Sequence, residues 1–261
     1  MSESERDVDS KKKGSKKQSN LLVAKLYRRA KANPVGAFII DLIVIVASAL
    51  VLSLVIKTFL IRSFYIPSGS MEKTLQINDR IIVNELVPNI VPLERGDVVV
   101  FKDPGGWLFT QPSEPSSNGL VAFGEWISSV VGLSAPDSAQ HLVKRVIGIG
   151  GDHVVCTGPT SKIQINGVEI NEPYLQPGLS PCAAYDKSHS VFDITVPKGS
   201  IWVMGDNRNN SEDSRFHTEL PSHGFVPLTA VVGRAFVLSW PLNHFKWLDN
   251  YANEFKQIPN N

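Results

Sequence analysis

Three short segments of the 261-residue chain contain side chains whose types and spacing are suited to hydrolytic chemistry. In residues 65–75, Pro and Gly surround two serines, which is typical of a fixed turn that exposes a hydroxyl. In residues 141–152, Lys144 lies in a run rich in Val and Ile, where a lysine either points outward or is held among apolar neighbours. In residues 204–215, a loop dense in Asp, Asn, Ser and Arg follows an apolar run. Each segment taken alone is also compatible with an ordinary surface turn or strand.

Other common hydrolytic and ligand-binding patterns do not occur in the sequence. It contains neither the Gly-x-Ser-x-Gly elbow of α/β-hydrolases nor the His-Glu-x-x-His signature of zinc proteases. The histidines show no metal-ligand spacing with the cysteines, the polar loop lacks calcium-ligand spacing, and no glycine-rich phosphate loop precedes a helix. We therefore expect no metal and no cofactor. A Ser-His-Asp triad stays open, because its members need not be sequence neighbours.

Short Val- and Ile-rich runs separated by Gly, Pro, Asn and Asp predict a mainly β domain after the N-terminal region. Asn166-Gly167, between two alternating apolar pairs, predicts a two-residue hairpin. Residues 104–140, rich in Pro, Ser and Gly, are expected to form an insertion on the β scaffold. The aromatic residues from 245 to 255 are expected to form a terminal helix that packs on the domain, with membrane contact as the alternative. The predicted strands are 80–87, 97–102, 141–149, 152–156, 162–170, 191–196, 200–204 and 230–240.

One apolar run is long enough to cross a membrane. Residues 38–61 are apolar except for Asp41 and Lys57, and as a helix they would extend about 36 Å, against about 30 Å for a bilayer core. We assign residues 37–61 to a transmembrane helix. A buried core helix is one alternative. A cleavable signal peptide is the other, because Ala47-Ser48-Ala49 has a small-x-small pattern, although this triplet lies inside the apolar run.

The distribution of charge predicts the orientation of this helix. The formal net charge of +1 gives no overall nucleic-acid-binding signature. Between residues 11 and 31, however, nine residues are basic and none is acidic, so residues 1–36 are predicted to form a basic cytoplasmic tail. Residues 62–261 would then be an extracytoplasmic domain. We expect a single-pass protein of the cell membrane, with the lipid bilayer as a partner and no nucleic acid.

Composition limits the class of protein further. With 43% hydrophobic and 20% charged residues, the chain as a whole is neither disordered nor fibrous. Two cysteines cannot build a disulfide-framework domain. A mean hydropathy of -0.02 excludes a polytopic membrane protein but leaves room for one span.

Together and in order, the three segments closely resemble those of bacterial type I signal peptidases, the membrane-bound Ser/Lys proteases that cut secretory signal peptides. The resemblance extends from Arg62 to about Val237 and includes Gly96-Asp97-Val98-Val99-Val100-Phe101. It implies a mainly β, signal-peptidase/LexA-like catalytic domain with one N-terminal transmembrane helix. It also implies a serine endopeptidase that removes the signal peptides of preproteins by cutting after a small-x-small motif.

The resemblance makes Ser70 the nucleophile and Lys144 its general base. The Ser68 hydroxyl would join the Ser70 backbone N–H as the oxyanion hole. A lysine with its ordinary pKa of about 10.4 is protonated and cannot accept a serine proton. We therefore expect Lys144 to be buried among apolar neighbours, which disfavours the ammonium, with Arg145 on the opposite face of the strand.

Further residues acquire roles by the same resemblance. Ser211 would orient the Lys144 amine, and Asp213 and Arg215 would form a supporting ion pair. Asp206 and Arg208 are expected to hold the shape of their loop. Substrate backbone would pair with residues 64–68 and 141–143. The candidates to line shallow substrate pockets, with core packing as the alternative for each, are Phe64, Ile66, Leu75, Leu142 and Val143.

Some features depart from the family pattern or leave the assignment open. Glu72-Lys73 stands where many relatives have apolar residues or Pro, and residues 216–223 are extra. Cys156 and Cys182 would face an oxidising compartment and could pair, which the sequence does not decide. Two other classes compete: a soluble, self-cleaving repressor-type Ser/Lys protease, and a catalytically silent membrane-anchored β-domain that binds secreted peptides.

Overall fold

The computed structural model describes residues 34–59, 61–108 and 141–259. The chain divides into two compact units, residues 1–57 and 58–261. Most of the predicted insertion, residues 109–140, and the basic tail lie outside the described residues, so both stay predictions.

Helix α1, Pro34–Phe59, accounts for the apolar run. Its 26 residues correspond to about 39 Å at 1.5 Å per residue. The window from Pro34 to Ser53 has a mean hydropathy of 2.8, and none of it is buried by other parts of the protein. One helix of the described chain is therefore long and apolar enough to cross a membrane, and it begins and ends slightly before the predicted 37–61.

The described residues of the second unit form twelve short strands, so this unit is mainly β, as predicted. All of their pairings within the described ranges are antiparallel. An eight-stranded sheet has the order β1-β2-β11-β3-β4-β9-β10, with β12 paired to β11, and a second sheet has the order β7-β6-β5-β8. The strands are, in order from β1 to β12, Ile61–Tyr65, Arg80–Asn84, Val98–Lys102, His141–Ile149, His153–Thr157, Gln164–Ile165, Val168–Glu169, Val191–Thr195, Ser200–Met204, Val226–Pro227, Val231–Trp240 and Lys246–Trp247.

The predicted hairpin is confirmed. Asn166 and Gly167 have φ angles of 53° and 80°, the left-handed conformation that a two-residue turn requires at both positions. The turn joins β6 to β7, which pair Ile165 with Val168.

A disulfide joins Cys156 to Cys182, and both residues are buried. It links β5 to the segment that leads into β8. The pairing that the sequence left undecided is therefore present in the fold.

The prediction of a terminal helix over residues 245–255 is wrong for most of its length. Only α2, Ala252–Phe255, is helical, because Lys246–Trp247 pairs with β11 as a strand. Phe255 packs in the core at 6% exposure, but Trp247 is 70% exposed. The expected packing on the domain is therefore confirmed for Phe255 and wrong for Trp247.

Candidate functional site

Ser70 lies on a one-turn 3-10 helix, Gly69–Met71, that follows β1 and is itself buried. Met71, only 1% exposed, fixes the turn in the apolar core. Asn207 holds it from the other side: its backbone N–H donates to the Ser70 carbonyl (3.0 Å) and its Nδ2 to the Gly69 carbonyl (3.1 Å). The polar loop after β9 therefore positions the segment that contains Ser70.

Lys144 approaches Ser70 from strand β4. Its Nζ lies 2.9 Å from Ser70 Oγ, and the two residues are 4% and 8% exposed. Burial disfavours the ammonium and lowers the pKa of Lys144 from 10.5 to about 8, although the negative charges of Asp213, Glu212 and Asp206 oppose this effect. About a tenth of a lysine with this pKa is neutral at pH 7, and the neutral amine is able to accept a proton from the serine hydroxyl.

Ser68 contributes a second hydroxyl at the same place. Its Oγ lies 3.3 Å from Ser70 Oγ, on extended backbone just before the 3-10 turn. Unlike Ser70, the residue is exposed, and its expected role in the oxyanion hole stays a prediction.

The loop 211–215 packs beneath the lysine. The Ser211 hydroxyl donates to Asp213 (2.9 Å), and Arg215 donates to both oxygens of the same carboxylate (2.8 and 2.9 Å). Burial raises the pKa of Asp213, but the Arg215 charge and the Gly205 N–H outweigh it and hold that pKa below its usual range. In the part of the chain that the structure describes, Ser211 makes no hydrogen bond with the Lys144 amine, so its expected role in orienting that amine stays a prediction.

Two buried ion pairs involve residues next to this arrangement along the chain. Arg145 pairs with Asp206, and Arg208 pairs with Glu172; all four side chains are inaccessible to solvent. Asp206 and Arg208 thus tie the loop after β9 to Arg145 and Glu172, and their expected role in holding the shape of that loop stays a prediction. Glu172 was missed by the sequence analysis, because no local pattern distinguishes it from a surface glutamate.

The predicted pocket residues divide into two groups. Phe64, Ile66 and Leu75 are at most 2% exposed and belong to one apolar cluster, so core packing describes them in this structure. Leu142 and Val143 are half-buried near the start of β4. A role in substrate binding stays a prediction for all five.

The strands β1 and β4 approach each other near their ends. Within the described residues, β1 is the last strand on its side of the eight-stranded sheet, and the pairing of β4 with β9 runs from Arg145 to Ile149. The Phe64 and His141 rings are 5.2 Å apart.

Within the described ranges, no group of three or more His, Cys, Asp or Glu side chains is arranged to hold a metal ion. The chemistry that these residues support is that of a serine nucleophile paired with a lysine base. A serine hydroxyl this close to a buried lysine amine is the arrangement that a serine hydrolase with a lysine base would need.

Comparison with known proteins identifies the family. The protein-family model described as "Signal peptidase, peptidase S26" matches residues 39–240, which is most of the chain. The chain therefore belongs to the signal peptidase family, whose members are serine endopeptidases, and its fold is the mainly β fold expected for them.

Individual relatives agree with this assignment. Signal peptidase I of Mycobacterium tuberculosis is 39% identical over 211 residues, covering 76% of this chain and 71% of the relative. Signal peptidase I of Leptolyngbya laminosa is 35% identical over 195 residues, covering 75% of this chain and 76% of the relative. Signal peptidase I of Pseudomonas aeruginosa is 31% identical over 237 residues, covering 76% and 72%.

Proposed function

We propose that the chain removes N-terminal signal peptides from preproteins with Ser70 as nucleophile and Lys144 as general base. The observation that supports this most directly is the 2.9 Å contact between Ser70 Oγ and Lys144 Nζ at a buried position. Membership of the signal peptidase family supports the substrate class.

In the first half of the proposed reaction, the neutral Lys144 amine accepts the Ser70 proton while Ser70 Oγ attacks the scissile carbonyl carbon. The resulting oxyanion accepts hydrogen bonds from the Ser70 backbone N–H and the Ser68 hydroxyl. The Lys144 ammonium then donates its proton to the leaving nitrogen as the peptide bond breaks. This yields an acyl-enzyme that retains the signal peptide and releases the mature chain with a new amine.

Hydrolysis of the acyl-enzyme repeats these steps with water as the nucleophile. Lys144, neutral again, accepts a proton from the water, and the same two donors stabilise the second oxyanion. The Lys144 ammonium then donates this proton to Ser70 Oγ as the ester bond breaks. The signal peptide leaves with a free carboxyl group, and the starting state of the enzyme is restored.

The closeness of β1 and β4, whose Phe64 and His141 rings are 5.2 Å apart, supports an extended mode of substrate binding. A signal peptide can add its backbone hydrogen bonds to residues 64–68 and 141–143, as in other strand-addition complexes. Phe64, Ile66 and Leu75 have almost no exposed surface, which leaves the half-buried Leu142 and Val143 as the accessible lining of what would be a shallow site. Shallow sites favour the small side chains of a small-x-small motif.

Helix α1 is proposed to anchor the enzyme in the membrane with its N-terminus in the cytoplasm. Residues 1–33 contain ten basic and four acidic residues, and basic flanks remain on the cytoplasmic side. Protease added to intact cells should then digest the domain after Arg62 and spare the tail. Digestion of the tail alone would reject this orientation.

The function is tested by cleavage of a preprotein with a small-x-small site by the purified full chain in detergent. We expect cleavage by the wild type with EDTA present, and loss of at least about 1000-fold in Ser70→Ala and Lys144→Met. Lys198→Met, at an exposed position, is the matched control and should keep full activity. Cleavage at the wild-type rate by either dyad variant would reject the dyad, and no cleavage by the wild type would favour a silent peptide-binding domain.

A further inference from the structure

The residues on either side of Cys182 supply backbone carbonyls to two buried arginines of the loop after β9. Arg208 donates to the Pro181 carbonyl, and Arg215 donates to the Ala183 carbonyl (2.6 Å). Both arginine side chains are inaccessible to solvent. A buried N–H group that loses its acceptor costs free energy, so the position of these two carbonyls matters to both arginines.

The segment that supplies the carbonyls has little regular structure of its own. Residues 171–186 form turns and bends but no helix or strand, so no ladder of backbone hydrogen bonds fixes them. Glu172 holds the start of this segment through its ion pair with Arg208. Further along, the disulfide attaches Cys182 to Cys156 on β5, at a sequence separation of 26 and with both residues at most 1% exposed. The bond therefore restricts the segment at the point where the two carbonyls lie.

The two arginines connect this segment to the turn that contains the nucleophile. Arg208 Nε donates to the Gly205 carbonyl (3.1 Å), and Arg215 Nη2 donates to the Arg208 carbonyl (3.2 Å). In the same loop, the Asn207 N–H donates to the Ser70 carbonyl (3.0 Å). The loop after β9 thus joins the disulfide-bonded segment to the active site by contiguous hydrogen bonds.

We propose that the disulfide between Cys156 and Cys182 positions the active site: it holds the two carbonyls in place, and through the two arginines it holds the loop beneath Lys144. The inference rests on the proposed function. Neither cysteine touches the reacting atoms, so both are positioning residues. A folded chain in which the two cysteines are reduced should accordingly have a less active site.

The test compares the wild type with the double variant Cys156→Ala/Cys182→Ala, as full chains in detergent. kcat and KM for one preprotein are measured between pH 5 and 10. We expect kcat to fall at least about tenfold and KM to change by less than about twofold, because the reacting groups are displaced while the substrate strands are untouched.

The pH profile adds a readout that general destabilisation does not move. Burial and the Arg215 charge both lower the pKa of Lys144, whereas the charges of Asp213, Glu212 and Asp206 raise it. Loosening of the segment should release Arg215 and admit water, while the three carboxylates stay on the chain. Both changes favour the ammonium, so the midpoint should move to higher pH in the double variant.

Val154→Ala is the matched control for lost stability. Val154 is completely buried on β5, in the same apolar cluster as Cys156, and its truncation leaves a cavity there. Urea denaturation should show that the control and the double variant are both less stable than the wild type. The control should nevertheless keep the wild-type kcat and midpoint.

Wild-type kcat and midpoint in the double variant would overturn the inference, as would changes of equal size in Val154→Ala. If circular dichroism shows that the double variant does not fold, wild-type chain unfolded in urea is refolded with and without dithiothreitol. Equal kcat of the two refolded samples would then reject the positioning role. A reduced sample that fails to refold would reject it too, because the bond would then serve folding alone. If the wild type itself leaves the preprotein uncut, it is the proposed function that fails.

Discussion

Arg145 lies on the opposite face of β4 from Lys144 and donates two hydrogen bonds, of 2.8 and 2.7 Å, to the carboxylate of Asp206. Both side chains are completely buried. Asp206 also accepts a hydrogen bond from Thr74, four residues after the nucleophile. The pair therefore connects the strand that contains Lys144 with the segment that contains Ser70, and it places a positive charge beside a carboxylate that favours the Lys144 ammonium.

Removal of one member of this pair should destabilise the domain strongly. Arg145→Met leaves the Asp206 charge buried and unpaired, and we expect the free energy of unfolding to fall by about 3–5 kcal/mol. Urea denaturation of the detergent-solubilised chain, followed by tryptophan fluorescence, measures the change. Arg62 pairs with Glu85 at a partly exposed site, so Arg62→Met should cost less than about 1 kcal/mol. Equal losses in the two variants would contradict this account.

The buried lysine predicts the pH dependence of cleavage. Burial lowers the pKa of Lys144 to about 8, so the neutral base is the minor form at pH 7 and becomes dominant as the pH rises through this value. We expect kcat/KM to increase about tenfold per pH unit well below pH 8 and to level off above it. A profile measured between pH 5 and 10 with one preprotein checks this, and a midpoint near the ordinary lysine value would show that burial does not tune the base.

Asp213 and Arg215 should move this midpoint in opposite directions. The Asp213 charge raises the pKa of Lys144 and the Arg215 charge lowers it. Asp213→Asn should therefore shift the midpoint to lower pH, whereas Arg215→Met should shift it to higher pH. Both variants break the same buried pair and lose stability for the same reason. Shifts of the same sign would mean that structural damage, and not charge, controls the profile.

The sequence indicated which two residues meet better than it indicated their distant partners. Ser70 and Lys144 were singled out by the resemblance of three short segments to the signal peptidase family, and the structure brings their side chains to 2.9 Å. The partner of Arg145 is 61 positions away, and no periodicity indicates such a distance. For the same reason the sequence left the pairing of Cys156 with Cys182 open.

Two errors in the predicted elements have a common physical cause. The sequence pattern predicts no strand over β1, whose residues Arg62 and Ser63 end the apolar run without any alternation, yet all five residues of β1 pair with β2. In residues 245–255, aromatic spacing favoured a helix, yet Trp247 opposes Val237 in a strand pair. In both places pairing with a distant strand determined the structure and local pattern did not.

Gly205 provides a test of how closely the serine segment and the polar loop are packed. A Cβ at this position would lie 2.2 Å from Ser211 Oγ and 2.5 Å from the Ser70 carbonyl oxygen. Because one contact is with backbone, Gly205→Ala must displace Ser70 or Ser211, and we expect kcat to fall at least about 100-fold with a smaller effect on KM.

Gly158→Ala is the matched control, since a Cβ there meets no atom within 4 Å and should leave kcat unchanged. Steady-state cleavage of one preprotein by the two variants measures the difference. Since the Ser70 carbonyl also accepts the Asn207 N–H, full activity in Gly205→Ala would mean that this contact can relax without moving the nucleophile.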